Sequence, residues 1–451
     1  EVDAETLEET ERWMESYNAA ISIRILQSVS WALRRGAGGR IVEGNEHFIS
    51  MTPWIIDAIT HPSVDLRCLG VRCLGLLTIS EEKYYIDYYD LISNVLGNSS
   101  ESTEVRVLAL KSLFDSMLVH NTTSISTAKG TEEEQEQALA SATAAKTRVN
   151  GMVTTLTRIF AINDEVLVPI ACEGVAKLLF SGIATDSSRL CCCLLKQFFI
   201  EDMSPKSTIT TPMEGDDMTD DELYAIETNQ SNRDRLQQVL SLFFHSFYMV
   251  DASNAKIIQI AIPEVIEDYV LELRTDTSAN TNTETKTKMT VQQLCEKLLG
   301  FCEYIKKTSN ASVTESGSSS KQSKITLMEQ IVKDVHITLF AAVTKEILKN
   351  PPTGQTDTLK QDKSILKDMI KALNSIYSTN TSTNSSNWIN SEWAIDVLKA
   401  VDALLLVSTP YMDKATLKYL INIHNNATLK HSEKTSVSSD TAAPGAVAVD
   451  D

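Results

Sequence analysis

Two stretches of this chain carry the same phrase 39 positions apart. In PSVDLRCLGVRCLGLLTIS (62–80) and STEVRVLALKSLFDSMLVH (102–120), an acid, a branched apolar residue and an arginine follow one another, as Asp65-Leu66-Arg67 and Glu104-Val105-Arg106. Each triplet opens a run of apolar residues at helical spacing: Leu66, Leu69, Cys73, Leu76 and Leu77 in the first, Val105, Leu108, Leu113 and Met117 in the second. A third, imperfect copy, NDEVLVPIACEGVAKLLFSG (163–182), keeps Glu165 and Val166 but has Leu167 in the arginine's place. A repeating helix of this kind cannot bury its apolar stripe alone, so neighbouring units must stack on one another. That requirement makes the chain a scaffold before anything else.

A helix–turn–helix unit of about 40 residues is the period of HEAT-type repeats. The expected fold is therefore all-α: a HEAT-like α-solenoid of antiparallel helix pairs with disordered insertions. The first two pairs are expected at 46–60 with 63–79 and at 81–97 with 103–119, with Gly97 as a helix stop and Ser102 as a cap. Leu69, Leu76, Leu108 and Leu113 are expected to be buried between them. A helix at 11–35, with Trp13, Tyr17, Ile21, Ile25, Val29 and Leu33 among its apolar positions, precedes the pairs and ends at RRGAGGR.

In domain terms, 1–200 reads as HEAT-like repeats interrupted at 121–145, and 201–230 as an acidic disordered insertion. Residues 231–428 read as further helical repeats with linkers near 275–289, 308–324 and 351–360, and 429–451 as a disordered tail. The linkers are Thr/Asn- or Ser-rich and lack the apolar content to fold. The chain lacks an initiator methionine and ends in a small-residue tail, so it reads as a piece of a longer protein.

At 43% apolar residues the chain is too hydrophobic to be disordered throughout. No stretch approaches the roughly 20 apolar residues of a membrane helix, so no membrane association is expected. The net charge of −19 argues against nucleic-acid coating over the whole surface. Much of the acid is local: 201–228 holds nine acids against Lys206 alone. A local basic groove is compatible with that distribution. The eight cysteines include no CxxC pair, and Cys191-Cys192-Cys193 point in different directions on a helix, so they cannot converge on one metal. They read as small core residues of an intracellular protein.

No phosphate-cradling loop, dinucleotide turn, His-Glu-x-x-His or nucleophile elbow occurs. GAGGR (36–40) follows a helix rather than a strand and lacks the lysine and hydroxyl of a phosphate loop. His245 has no histidine or cysteine at i+3 or i+4 to share a metal. The expectation is a protein that is not an enzyme, with no cofactor and no small-molecule substrate. Two features could carry partner binding. Arg34, Arg35 and Arg40 flank the glycine turn, and Arg67 and Arg106 could align as a basic ladder against DNA phosphates. The competing reading is that the acid and arginine of the motif link neighbouring repeats. The second feature is YYIDYY (84–89), where Tyr84, Tyr85, Tyr88 and Tyr89 exceed what one helix face easily hides; a surplus pair could dock a partner peptide.

Four blocks, DLRCLGVRCLGLLTI, EVRVLALKSLFDSMLVH, IACEGVAKLLFSG and NRDRLQQVLSLFFHSFY, occur in that order over roughly 45–275. Together they resemble the C-terminal half of the HEAT-repeat G subunit family of condensin (condensin subunit 3). The last block departs from the family in having His245 where proline is frequent after the Phe-Phe pair. The resemblance implies a non-catalytic subunit that grips a kleisin subunit and, through it, SMC ATPase subunits. It also implies help in holding double-stranded DNA in a local basic groove during mitotic chromosome condensation. Nuclear and condensed-chromosome localisation follows from it, with cytoplasmic residence in interphase allowed. The alternative is a HEAT-like scaffold or adaptor from nuclear transport or a phosphatase assembly.

Overall fold

The computed structural model describes residues 4–36, 46–121, 132–184, 187–199, 220–250, 252–275, 289–301, 319–349, 356–378 and 391–437. Among these residues no strand occurs, and the fold is all-α, of the HEAT-like α-solenoid class. The chain divides into two compact units, one of residues 1–190 with 221–240, the other of residues 191–220 with 241–451.

Unit 1 begins with α1 (Ala4–Gly36). The next four helices are α2 (Glu46–Ile59), α3 (Val64–Ser80), α4 (Glu82–Gly97) and α5 (Thr103–Asn121), within a residue or two of the expected pairs. α6 (Glu132–Ile162) and α7 (Leu167–Phe180) follow. α2 packs on α3, α4 on α5 and α6 on α7, while α1, α3, α5 and α7 pack in succession as a second layer. Local chemistry sets the boundaries. The Ser102 hydroxyl accepts the N–H of Val105 at 3.4 Å, as an N-cap does. Asp164 Oδ1 accepts the N–H groups of Val166 and Leu167 at 3.0 and 3.1 Å, starting α7. Asn163 ends α6 with φ of 56°, a left-handed conformation that asparagine tolerates better than most residues.

The second-layer helices approach closely where glycine removes a side chain. A Cβ on Gly75 of α3 would lie 2.1 Å from Ser112 Oγ of α5, and one on Gly174 of α7 would lie 2.1 Å from the Phe114 ring. The core of α5 is Val105, Ala109, Leu110, Leu113, Phe114 and Met117. Of the four leucines expected in the core, only Leu113 is fully buried; Leu69, Leu76 and Leu108 are half-buried. α4 and both second-layer neighbours pack on α5, so its core stripe takes in residues beyond those assigned from spacing, while Leu69 and Leu108 lie outside the core and line an open groove. In α1 the core comprises Leu26, Val29 and Leu33, whereas Tyr17 and Ile21 are exposed.

Helices also start earlier than the sequence placed them. α6 takes in the Glu run at 132–136, and α9 (Asp220–Val250) starts inside the acidic segment. The division between units falls within α8 (Ser188–Phe199) and within α9. Unit 2 contains α10 (Ala252–Thr275), α11 (291–301), α12 (Ser319–Lys349), α13 (Thr356–Ser378), α14 (Ser391–Ser408) and α15 (Lys414–Val437). Here α10 packs on α12, α12 on α13, and α15 on both α13 and α14. Phe198, Phe199, Phe244 and Phe301 form an aromatic cluster with ring centroids 4.8–6.2 Å apart. Cys191, Cys192 and Cys193 are buried. Of the expected insertions, linkers and tail, 122–131, 201–219, 276–288, 308–318, 350–355 and 438–451 lie outside the described residues, whereas α12, α13 and α15 run into the stretches expected as linkers at 308–324 and 351–360 and as a disordered tail at 429–451.

Candidate partner-binding wall

The two motif arginines turn inward, toward the next repeat. Arg67 Nε and Nη2 donate to Glu101 Oε1 at 3.0 and 2.9 Å, and Nη1 donates to the carbonyls of His61 and Pro62 at 2.8 and 2.7 Å. Glu101 Oε1 also accepts the N–H of Ser102 at 2.8 Å. Arg106 lies 3.6 Å from Asp164, the residue that starts α7, and its Nε donates to the Leu96 carbonyl at 3.3 Å. Each acid sits in the loop leading into the next second-layer helix. The repeats are thus stapled by rungs from Arg67 to Glu101 and from Arg106 to Asp164. With side chains only 17% and 13% exposed and their charges met, these arginines are the links between repeats of the competing reading and do not form a basic ladder. The third copy needs no such arginine: Leu167 is fully buried, and Glu165 instead lies 4.0 Å from Arg233 of α9 on the surface.

The tyrosines also divide. Tyr85 and Tyr89 belong to the core rather than to a docking face. Tyr85 stacks on His120 at 5.4 Å and meets Tyr89 edge-on, and the Arg148 guanidinium lies 5.2 Å from its ring centroid. The Tyr89 hydroxyl donates to the Arg148 carbonyl at 2.7 Å, and burial raises its pKa well above the usual phenol range. Tyr84 and Tyr88 are half-buried and stack on each other at 6.2 Å. Of the glycine-turn arginines, Arg34 is exposed on α1; the Arg35 side chain and Arg40 lie outside the described residues.

Sequence spacing missed a groove of about 740 Å³ on the second layer. It runs from Ile23 and Gln27 of α1, over Asp65, Cys68, Leu69 and Arg72 of α3, to Thr103, Glu104, Val107 and Leu108 of α5, and ends at Val166. Burial pushes the Cys68 thiol up; Glu104 and Asp65 push the same way, against Arg72 and Arg67. A second groove of about 410 Å³ is lined by Lys111 and Asp115 of α5, Glu173 and Lys177 of α7, and Arg235 of α9. In it Lys177 bonds Glu173 at 2.8 Å and lowers its pKa, while burial raises that of Asp115. The signal for the first groove was present in the sequence. The offset that relates Arg67 to Arg106 also relates Leu69 to Leu108 and Arg72 to Lys111.

Among the described residues no group of three or more His, Cys, Asp or Glu side chains is placed to hold a metal, and no helix is long and apolar enough to cross a membrane. Helix pairs stacked in two layers and stapled from one repeat to the next define a repeat scaffold. Residues 45–377 match the family profile of nuclear condensing complex subunits, C-terminal domain (Cnd3), and the chain belongs to that family. The family is one of helical scaffold subunits rather than enzymes. No curated protein gives a significant match. Among solved structures, the chain is similar to the S. pombe condensin Cnd3–Cnd2 subcomplex at 16% identity and a TM-score of 0.49, covering 94% of this chain and 44% of that one. It is also similar to an engineered protein at 12% identity and a TM-score of 0.33, over 91% of this chain and 98% of that one. The chain thus spans less than half the length of the condensin subunit it resembles.

Proposed function

We propose that this chain is the C-terminal part of a non-catalytic HEAT-repeat subunit of a condensin-type complex. In that role it binds a kleisin subunit, joins the SMC ATPase subunits through it, and helps hold double-stranded DNA as mitotic chromosomes condense in the nucleus. The observation that carries this reading is the family match over 45–377, which covers both the stapled pairs and much of unit 2. Contact with DNA falls to Arg34, with Arg35 and Arg40 beside it in sequence, because Arg67 and Arg106 are engaged within the fold. Tyr84 and Tyr88 remain available to a protein partner.

The deciding experiment is affinity purification of the full-length protein with identification of what accompanies it. Recovery of a kleisin and an SMC pair is expected; recovery of transport receptors or phosphatase subunits instead would overturn the reading. Reversing Arg34, Arg35 and Arg40 to glutamate should weaken DNA binding by the kleisin-bound protein and flatten its salt dependence, because fewer counterions are released. Kleisin binding should be unchanged.

A further inference from the structure

The 39-residue equivalence gives the second-layer wall three rows. Asp65 and Glu104 form an acidic row, Leu69 and Leu108 an apolar row, and Arg72 and Lys111 a basic row. In each helix seven residues separate the acid from the base, which is roughly 10 Å along the axis at 1.5 Å per residue. α3 and α5 pack side by side. Five of the six residues line the larger groove, and Lys111, one turn beyond Leu108 on α5, lines the second. The acids and Lys111 are exposed, while the leucines and Arg72 are half-buried. None of the four charges forms an ion pair with a described residue, unlike Arg67 and Arg106 on the same helices.

Such a wall discriminates among ligands. A DNA backbone is negative along its whole length and would meet Asp65 and Glu104 unfavourably. A peptide helix is about 10–12 Å across, which matches the distance between the two charged rows. Packed helices lie about 8–10 Å apart, so each row presents its two charges to positions one to two turns apart on a helix lying across α3 and α5.

We infer that the α3–α5 wall docks an amphipathic helical segment of a partner subunit. Its apolar stripe lies on Leu69 and Leu108, its basic edge on Asp65 and Glu104, and its acidic edge on Arg72 and Lys111. This inference rests on the scaffold reading above, which supplies a protein partner. Charge complementarity selects the occupant, and the half-buried leucines supply the apolar contact.

The test uses the full-length protein and, as probe, overlapping peptides covering the kleisin that co-purifies with it. One peptide with the stated charge edges should bind. Asp65→Lys with Glu104→Lys should weaken it by about tenfold or more, and exchanging the basic edge of the peptide for an acidic one should recover binding. Arg72→Glu with Lys111→Glu provides an independent variant should the first fail to keep the wild-type melting curve. Cys68 lines the groove and is half-buried, so the bound peptide should slow its alkylation by iodoacetamide. Unchanged peptide affinity in both folded variants, or no protection of Cys68, would overturn the docking wall while kleisin capture still upheld the scaffold reading. Unchanged peptide binding with increased DNA binding by Asp65→Lys/Glu104→Lys would assign the wall to nucleic acid and overturn it as well. Capture of no kleisin by the wild-type protein would overturn both.

Discussion

The rung from Arg67 to Glu101 offers the sharpest test of how the repeats are joined. Arg67→Ala removes two hydrogen bonds to one carboxylate oxygen, at 2.9 and 3.0 Å, and two more to the carbonyls of the preceding turn. The partner Glu101 is left with the N–H of Ser102 and a side chain only 12% exposed. Removing one member of a fully buried pair costs about 3–5 kcal/mol. Residual water access to both side chains reduces that, so the expected loss is about 2–3 kcal/mol. In a repeat array this loss falls on the interface between neighbouring units rather than on the whole chain. Native-state hydrogen exchange over the first turns of α5 is therefore the assay. The expected change is exchange faster by roughly 30- to 150-fold, at tenfold per 1.4 kcal/mol. Arg67→Ala with Glu101→Ala should cost less than the sum of the single changes, since neither charge is then stranded. Exchange within about threefold of wild type in Arg67→Ala, which is under 1 kcal/mol, would refute the rung as a staple.

Further outcomes follow from burial and charge. Leu110→Ala should destabilise unit 1 by about 2–5 kcal/mol, because Leu110 is fully buried; Leu108→Ala, at a half-buried groove position, should cost less in the same urea titration. Among the described cysteines, Cys68 should be alkylated first in the native protein, since it alone is not buried and burial holds the Cys73 thiol at about 12; peptide mapping after brief labelling reads the order. Asp413 caps α15 through the N–H of Thr416 at 2.7 Å and bonds Lys367 at 3.0 Å. Thr416 and then Lys367 hold its carboxyl well below the ordinary range. A lowered folded pKa means that the contribution of Asp413 is complete above the unfolded value of about 3.9 and is lost as pH falls below it toward the folded value. Exchange at the start of α15 should accelerate over that acidic window in the wild type, and Asp413→Ala should already be fast at neutral pH.

The sequence alone determined that this chain is helical and repetitive, because helical periodicity is a local property. Leu66, Leu77, Val105 and Leu113 recur at spacings that only stacked helices can bury. The bounds of α2 to α5 followed from Pro62, Gly97 and Ser102, whose effects on the backbone act within a turn. The triplets Asp65-Leu66-Arg67 and Glu104-Val105-Arg106 marked the second-layer helices. What the arginines do was decided only by tertiary structure. Their partners lie in loops at unequal distances along the chain, 34 residues away for Glu101 and 58 for Asp164. No fixed spacing announces a contact of that kind, so the motif left a ladder for phosphates and links between repeats both open, and tertiary structure selects the links. The tyrosine run shows the same limit. Tyr84 and Tyr88 lie one turn apart, as do Tyr85 and Tyr89, and nothing local separates the two pairs. The approach of His120 and Arg148 puts Tyr85 and Tyr89 in the core and leaves the other two at its edge. The rows on the α3–α5 wall took both sources: the repeat offset set which residues are equivalent, and side-by-side packing of the second-layer helices set those equivalents next to one another.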